Sequence, residues 1–477
     1  MLGNALYNNS ASDKYYTGRI IFILKKYFYG KGEFMRFLLR EEFWGGILFD
    51  KCINKSYKVN KVTFEALLIL IDNNRIDELY DKYHDNKKDV DDLINMLKKL
   101  FVIDKKGSIS EIKIIRNMNE SFLSAPLKVF IEVTNSCNLH CSHCFNESSS
   151  GKGLQDNLSK VDIFKLIDNM EEYGVPNLKI TGGEPFIRKD LLDILRYLEN
   201  TSINYVIHSN GILVTDKIAK ELSELKNLTS LRLSVEGYQV THDEIRGKNN
   251  FNKVIEKLRL LQKYDVRCGL NYTINNKNYL EIDKLLFFVN NECPCDINFG
   301  IIKYAGRALE HKESLLFDNY TSLHNALKCL DEVFGKYSNL TTTQNIEIPY
   351  TPQVNFYPNN DDCFYLFSDK FGCAAGNVSC TIKSNGDVIP CGLFSNEKNF
   401  ICDNIKNNSL EYIWQNSNIL SDFRNISPNK FCKNDCQYLY KQCTGGCRAN
   451  AFYYKSSLNE VDPNCHKLLY RESLCCE

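Results

Sequence analysis

The sequence predicts an α/β protein. Its centre is a parallel sheet of six βα repeats, open or curled into a partial barrel, with a winged-helix-like unit before it and a cysteine-rich unit after it. Three observations predict this. Apolar, β-rich runs alternate with helical stretches across residues 125–310. Before them lie a hairpin pattern and three segments of helical periodicity, and twelve of the twenty cysteines lie between Cys363 and Cys476.

The first unit occupies residues 1–115. WGGILFD and KSYKVN read as a short hairpin, and VTFEALLILIDNN, IDELYDKYH and KDVDDLINMLKKL carry apolar residues at helical spacing. FVIDKKG is expected to close the unit as a wing strand. DNA binding is the usual inference from that shape. The third helix, however, mixes Asp and Lys instead of presenting a basic face, which argues against it. Residues 1–40, including GRIIFILKKYFYGKG, read only as an amphipathic extension.

The core strands are VFIEVT (129–134), NLKIT (177–181), YVIHS (205–209), SLRLSVE (230–236), CGLNYTI (268–274) and DINFGII (296–302). VDIFKLIDNMEEYG, DLLDILRYLEN and FNKVIEKLRLLQKY are helical stretches between them. In such sheets the reactive groups gather at the C-terminal ends of the strands. Residues 311–362 read as a bridge, helical and then irregular. The tail, 363–477, is rich in Cys and Gly with little periodicity, a pattern that needs metal to hold it together.

Composition narrows the classes. Apolar content of 43% and charged content of 25% are those of a soluble globular protein. Lys+Arg and Asp+Glu are both 59, so the formal net charge is zero. That balance gives no reason to expect nucleic acid or a membrane surface as a partner. The N-terminus MLGNALYNNSASDKYY is polar, and no run approaches the length that spans a bilayer. A cytoplasmic setting follows, in which cysteines serve metal or redox chemistry and not disulfides.

Cys137, Cys141 and Cys144 follow the first core strand with the spacing C-x3-C-x2-C. Three thiolates in a tight loop can hold three irons of a [4Fe–4S] cube and leave one open, or hold zinc with a distant fourth ligand. Spacing alone leaves the two nearly even. Gly182, Gly183, Glu184 and Pro185 stand directly after the second strand, where glycines let a ligand approach the backbone. The combination decides for the iron cluster.

Together these residues resemble the radical S-adenosylmethionine (SAM) enzymes. The resemblance implies a partial (β/α)6 TIM-type barrel whose open iron is bound by SAM, with Gly182, Gly183 and Glu184 at its amino group. HSNG (208–211), with Ser209 and Asn210, looks like the family's third-strand end. LSVEGYQVTHDEIRG (233–247) is similar to the corresponding stretch of its peptide-modifying members, which implies ribose contacts from Ser234 and Glu236 and a methionine-carboxylate contact from Arg246. Asn271 and Thr273 are candidates for the pocket floor. His143 stands before the last cysteine, where an aromatic is typical.

The tail resembles the SPASM domain, which carries two auxiliary [4Fe–4S] clusters. The resemblance implies one held by Cys373, Cys380, Cys391 and Cys447, and one by Cys432, Cys436, Cys443 and Cys465. On residues 432–447 alone a zinc ribbon is the better reading; eight suitably spaced cysteines behind the core reverse it. Beside this tail, the N-terminal unit resembles the PqqD-like element that captures leader peptides, adding them as a strand to the hairpin edge.

The implied activity is that of a radical SAM maturase with three [4Fe–4S] clusters and SAM. It would act on a ribosomal precursor peptide bound through its leader, draw electrons from flavodoxin or ferredoxin, and install thioether links from Cys sulfur to carbon. A carbon–carbon cross-linking maturase and an anaerobic sulfatase-maturing, formylglycine-forming enzyme are the enzymatic alternatives. A zinc-stabilised winged-helix regulator is the non-enzymatic one.

Overall fold

The computed structural model describes residues 36–465, apart from 74, 105–106, 117–118, 120, 152–157, 318–319, 338–372 and 433–444. The extension before residue 36, much of the bridge, Cys363, Cys436, Cys443, Cys475 and Cys476 therefore lie outside the described residues.

The N-terminal unit is built on a four-stranded sheet. Strands β1 (Phe37–Glu42), β2 (Gly45–Asp50) and β3 (Lys55–Asn60) form an antiparallel meander, and β4 (Ile112–Ile115) pairs parallel with β1. The order β3-β2-β1-β4 leaves β3 at one end. The expected hairpin is β2–β3, with three helices after it, Lys61–Asn73, Asp77–Lys82 and Lys87–Lys99. Leu67, Leu70, Leu79, Leu93 and Leu97 of those helices share one core with Leu39, Leu48 and Val59 of the strands. Two details differ from the sequence reading. Phe37–Glu42, at the edge of the unread extension, is a full strand. FVIDKKG contributes only the bridge Ile103–Ile109, and Ile112–Ile115 closes the sheet instead. Phe101 has a positive φ, which ends extended pairing at that point.

The core sheet follows the predicted alternation. Strands β5 (Lys128–Glu132), β6 (Asn177–Thr181), β7 (Asn204–Ser209), β8 (Leu228–Val235), β9 (Cys268–Ile274) and β10 (Asp296–Ile301) are parallel neighbours in chain order. Their helices start where local chemistry allows. Ser159 and Asp162 form a reciprocal capping box for Lys160–Glu172, and Thr215 caps Asp216–Ser223. Alternate strand residues such as Val129, Ile180, Ile207, Leu233 and Leu270 are buried against the helices.

The cysteine-rich tail does not stand apart from this sheet. Strand β11 (Ser379–Ile382) pairs parallel with β5, and β12 (Asp387–Ile389) and β13 (Asp403–Asn404) continue beyond it. The result is a nine-stranded sheet ordered β10-β9-β8-β7-β6-β5-β11-β12-β13. The tail is thereby joined to β5, the strand from whose end the C-x3-C-x2-C loop departs.

Buried polar contacts join the N-terminal unit to the core. Arg40, 1% exposed, pairs with Glu42 at 2.8 Å and donates to the Gly174 and Ala125 carbonyls at 2.8 and 2.9 Å. Glu42 accepts from the Ser124 amide at 2.9 Å, and Lys51 donates to the Thr201 carbonyl at 2.8 Å.

Candidate active site

The ends of all six core strands meet at one place. Cys137, Cys141 and Cys144 lie in the loop after β5, with Cys137 and Cys141 buried and Cys144 half-buried. The loop is held by its own backbone: Cys137 N–H donates to Ser149 O at 3.0 Å, and Cys144 N–H to Cys141 O at 3.3 Å.

The glycines after β6 also allow a close approach within the chain itself. A Cβ on Gly182 would stand 2.2 Å from Thr134 O, and one on Gly183 would stand 2.2 Å from Ser136 O. What approaches here is the backbone leading into the cysteine loop. Gly183 N–H donates to Thr134 O at 2.7 Å and Glu184 N–H to Ser136 O at 2.9 Å, lacing the two strand ends together. Glu184 is fully buried and accepts from Ser209 Oγ and the Asn210 amide, both at 2.8 Å. It acts as a strut between β6 and β7. Asn210 in turn donates to Asn138 Oδ1 at 2.8 Å and lies 4.0 Å from Cys137 Sγ.

On the other side of the loop, Glu236 at the end of β8 organises the contacts. Its Oε1 accepts from Arg246 Nη2 at 2.7 Å and faces His143 Nε2 at 3.4 Å; its Oε2 accepts from the Thr273 amide at 3.0 Å. Burial alone would raise its pKa, but the charges of His143 and Arg246 hold it at about 2. Both carboxylate oxygens accept from protein groups, and each keeps acceptor capacity beyond those bonds. Ser234, one strand step earlier, stays half-buried. Arg246 points its Nη1 at Cys141 Sγ, 3.8 Å away. Asn271, a candidate for the floor, lies 3.0 Å from His208 Nδ1.

Two residues that the motifs did not reveal clamp the loop from β10. A Cβ on Gly306, whose φ is +57°, would meet Cys144 O and Phe145 O at 2.5 Å. Buried Arg307 donates to Cys141 O at 2.8 Å and Ser148 O at 3.1 Å, and its amide donates to Cys144 O at 3.1 Å. The available signal was a Gly–Arg pair just past the last predicted strand.

The cradle suits a metal cluster. Burial pushes Cys137 up to about 11 and raises Cys141, with Arg246 and Arg307 opposing the rise at Cys141. Such thiols are poor nucleophiles until a metal replaces the proton. Donors already face the sulfurs, from Leu139 N–H at 3.4 Å to Cys137 and from Arg246 to Cys141. His143 Nδ1 is buried without a partner, an atom for a bound group to satisfy.

In the tail, Cys373, Cys391 and Cys447 pack against one aromatic cluster around Phe394 and Phe423. Cys391 is pushed up to about 12, by burial first and then by Cys447 and Cys373. Cys380 is not brought to them. Its register partner on β5 is Val129, so it points into the helix-side core, with Cys402 and Arg424 as its neighbours. Strand alternation puts Thr381 on the opposite face, beside Gly392 and hence next to Cys391. Cys432 and Cys465 are both half-buried, while their expected partners Cys436 and Cys443 lie outside the described residues.

Comparison with known proteins agrees with this geometry. The sequence model of the Radical SAM superfamily matches residues 131–289, and that of the SPASM iron-sulfur cluster-binding domain matches residues 373–437. The chain is a radical SAM iron–sulfur enzyme. This radical SAM enzyme uses SAM, a SAM-binding [4Fe–4S] cluster and auxiliary clusters. It is 27% identical to the AdoMet-dependent heme synthase of Methanosarcina barkeri, over 72% of this chain and 97% of that one. It is 24% identical to the mycofactocin maturase MftC of Mycobacterium tuberculosis, over 72% and 84%. Among solved structures, Streptococcus suis SuiB bound to its precursor peptide SuiA aligns with a TM-score of 0.67 at 18% identity, over 91% of this chain and 99% of that one. Among the described residues, no helix of this radical SAM enzyme is long and apolar enough to cross a membrane.

Proposed function

We propose that this enzyme is a peptide maturase that installs thioether links, from a Cys sulfur to a carbon, in a ribosomal precursor peptide. The observation that carries the reading is the N-terminal sheet, which ends in β3 and is bolted to the core through Arg40. In the peptide-recognition elements that the N-terminal unit resembles, a leader peptide adds as a strand to such a sheet, with side-chain pockets adding selectivity. Support comes from relatives that act on peptides: SuiB, solved with its precursor peptide, aligns with 91% of this chain, and the maturase MftC is similar over 72% of it.

In this reading Cys137, Cys141 and Cys144 hold the SAM-binding cluster. When bound, that cluster and SAM supply hydrogen-atom abstraction from an unactivated C–H bond. The chain's own residues position and insulate. Glu236 fixes Arg246 beside Cys141, where Arg246 would pair with the carboxylate of SAM. Ser234 and Glu236 would contact the ribose, and backbone at Gly182–Glu184 would serve the amino group. Arg307 and Gly306 keep the loop in one conformation, so the target carbon meets the reacting centre in a narrow range of geometry. In the tail, Cys373, Cys391 and Cys447 would hold one auxiliary cluster, which would supply a binding place for the substrate thiolate, and Cys432, Cys436, Cys443 and Cys465 would hold the other. Flavodoxin or ferredoxin in the cytoplasm supplies the electrons.

The test is co-expression with a small Cys-bearing open reading frame encoded beside the enzyme, followed by mass spectrometry. Loss of two hydrogens per link, with no alkylatable thiol at the linked cysteine, is expected. A persistent thiol with the same mass loss would indicate carbon–carbon linking, and conversion of the Cys to formylglycine would indicate the sulfatase-type reaction. A colourless, zinc-containing protein without acid-labile sulfide would end the reading altogether.

A further inference from the structure

A guanidinium taken out of water needs an anion beside it. Arg40 and Arg448 are each 1% exposed. Arg40 has its anion in Glu42, at 2.8 Å. Arg448, the residue after Cys447, forms no ion pair among the described residues and gives its bonds to carbonyls. Its Nη1 donates to Leu458 O at 2.7 Å and Glu460 O at 2.8 Å, and its Nη2 donates to Gly445 O. The guanidinium carbon lies over the Phe431 ring, 4.2 Å from its centre. Nε is buried with no partner. Asp462, the carboxylate of the same loop, accepts instead from the amides of Cys447 at 2.6 Å and Asn464 at 2.9 Å.

Carbonyl oxygens satisfy hydrogen bonds but bring only partial charge, and an orphaned buried donor calls for an acceptor that the protein itself does not provide. The groups around Arg448 belong to the backbone that carries the tail's cysteines. Phe431 precedes Cys432, Gly445 stands two residues before Cys447, and Glu460 stands five before Cys465. Cys432 and Cys465 are themselves half-buried. Thiolates on iron make such a centre anionic, and its net charge and the hydrogen bonds to its sulfurs set its reduction potential. A similar arrangement stands at the other cluster loop. Arg307, 5% exposed, bonds the carbonyls of Cys141 and Ser148, and it too has no ion pair among the described residues.

We propose that Arg448 is the counter-charge of the auxiliary cluster served by Cys432 and Cys465, with its unpartnered Nε–H available to a sulfur of that centre, and that it raises the cluster's reduction potential. A fixed cation stabilises the reduced, more negative form more than the oxidised one, and a hydrogen bond to sulfur acts in the same direction. The reduction takes one electron from the enzyme's external reductant, and Arg448 exchanges no proton in it. The peptide-maturase reading plays no part here: a precursor left unmodified would leave the role of Arg448 standing.

A potentiometric titration followed by electron paramagnetic resonance tests this on the full-length, reconstituted enzyme, with dithionite as reductant. The SAM-binding cluster is recognised by the change in its signal when SAM is added. Arg448→Gln should lower the midpoint potential of one auxiliary cluster, so that its oxidised-to-reduced ratio at a fixed potential rises about tenfold, or about 59 mV for a one-electron couple. The SAM-binding cluster should keep its potential. Arg448→Lys, which restores the charge but not the planar fork, should recover more than half of the shift. Loss of one auxiliary cluster from the Gln variant and not from the Lys variant would carry the same meaning. Equal shifts, or equal cluster loss, in the two variants would mean that Arg448 only ties carbonyls together, and would overturn the proposal. An unchanged auxiliary potential in Arg448→Gln overturns it as well.

Discussion

Gly306 shows how closely the cluster loop is held. Its left-handed backbone and its approach to Cys144 O and Phe145 O exclude any side chain. Gly306→Ala should cost about 1–2 kcal/mol for the backbone conformation alone. It should also displace the cysteine loop, seen as lower iron and sulfide content after reconstitution. His242 is the residue with a pH signature. It is buried, accepts from the Glu236 amide at 3.1 Å through Nδ1, and leaves Nε2 without a partner. Its pKa is held at about 4, by burial first and then by Arg246, against an ordinary 6.5. The unfolded chain thus takes up this proton at higher pH than the folded one. Stability is complete above pH 6.5 and falls as the pH drops toward 4. The slope approaches about 1.4 kcal/mol per pH unit. His242→Asn, which keeps an acceptor for the amide, should flatten that slope in urea unfolding.

At the scale of the element, β11 separates ligands from core. Cys380 shares its strand with Thr381 but faces the other way, toward Cys402 and Arg424, and is 0% exposed. Cys380→Ala should therefore leave the iron content unchanged and cost about 1 kcal/mol through the small cavity. Cys391→Ala should lower the iron content instead. Equal iron loss in the two variants would return Cys380 to the ligand set. Residue spacing could not make this distinction: Cys380 has suitable spacing, and its orientation depends on pairing with β5, far away in the chain.

For the molecule as a whole, the junction between the N-terminal unit and the core decides whether a captured leader has a defined position. Arg40 and Glu42 are both buried there. Arg40→Met would leave the Glu42 carboxylate without its ionic partner and the Gly174 and Ala125 carbonyls without the guanidinium donors, a change that costs about 3–5 kcal/mol for a buried pair. The N-terminal unit should then be released early in limited proteolysis, while the iron content of the core stays at the wild-type level. Simultaneous loss of both would mean that the two parts fold as one unit.

The core strands, the hairpin, the cysteine loop and the glycines after β6 were legible in the sequence, because each depends on local periodicity or on spacing within one loop. NLKIT and CGLNYTI match β6 and β9 end to end. The sequence also determined the reaction class, since three cysteines after one strand and GGE after the next belong to chemistry that needs both. Tertiary structure alone decided the rest. It turned Cys380 away from its expected partners and set protein donors on both oxygens of Glu236. It brought Gly306 and Arg307 onto a loop some 160 residues earlier. Which way a strand residue faces, and which strand stands beside it, depend on pairings between distant segments, and no local pattern carries that information.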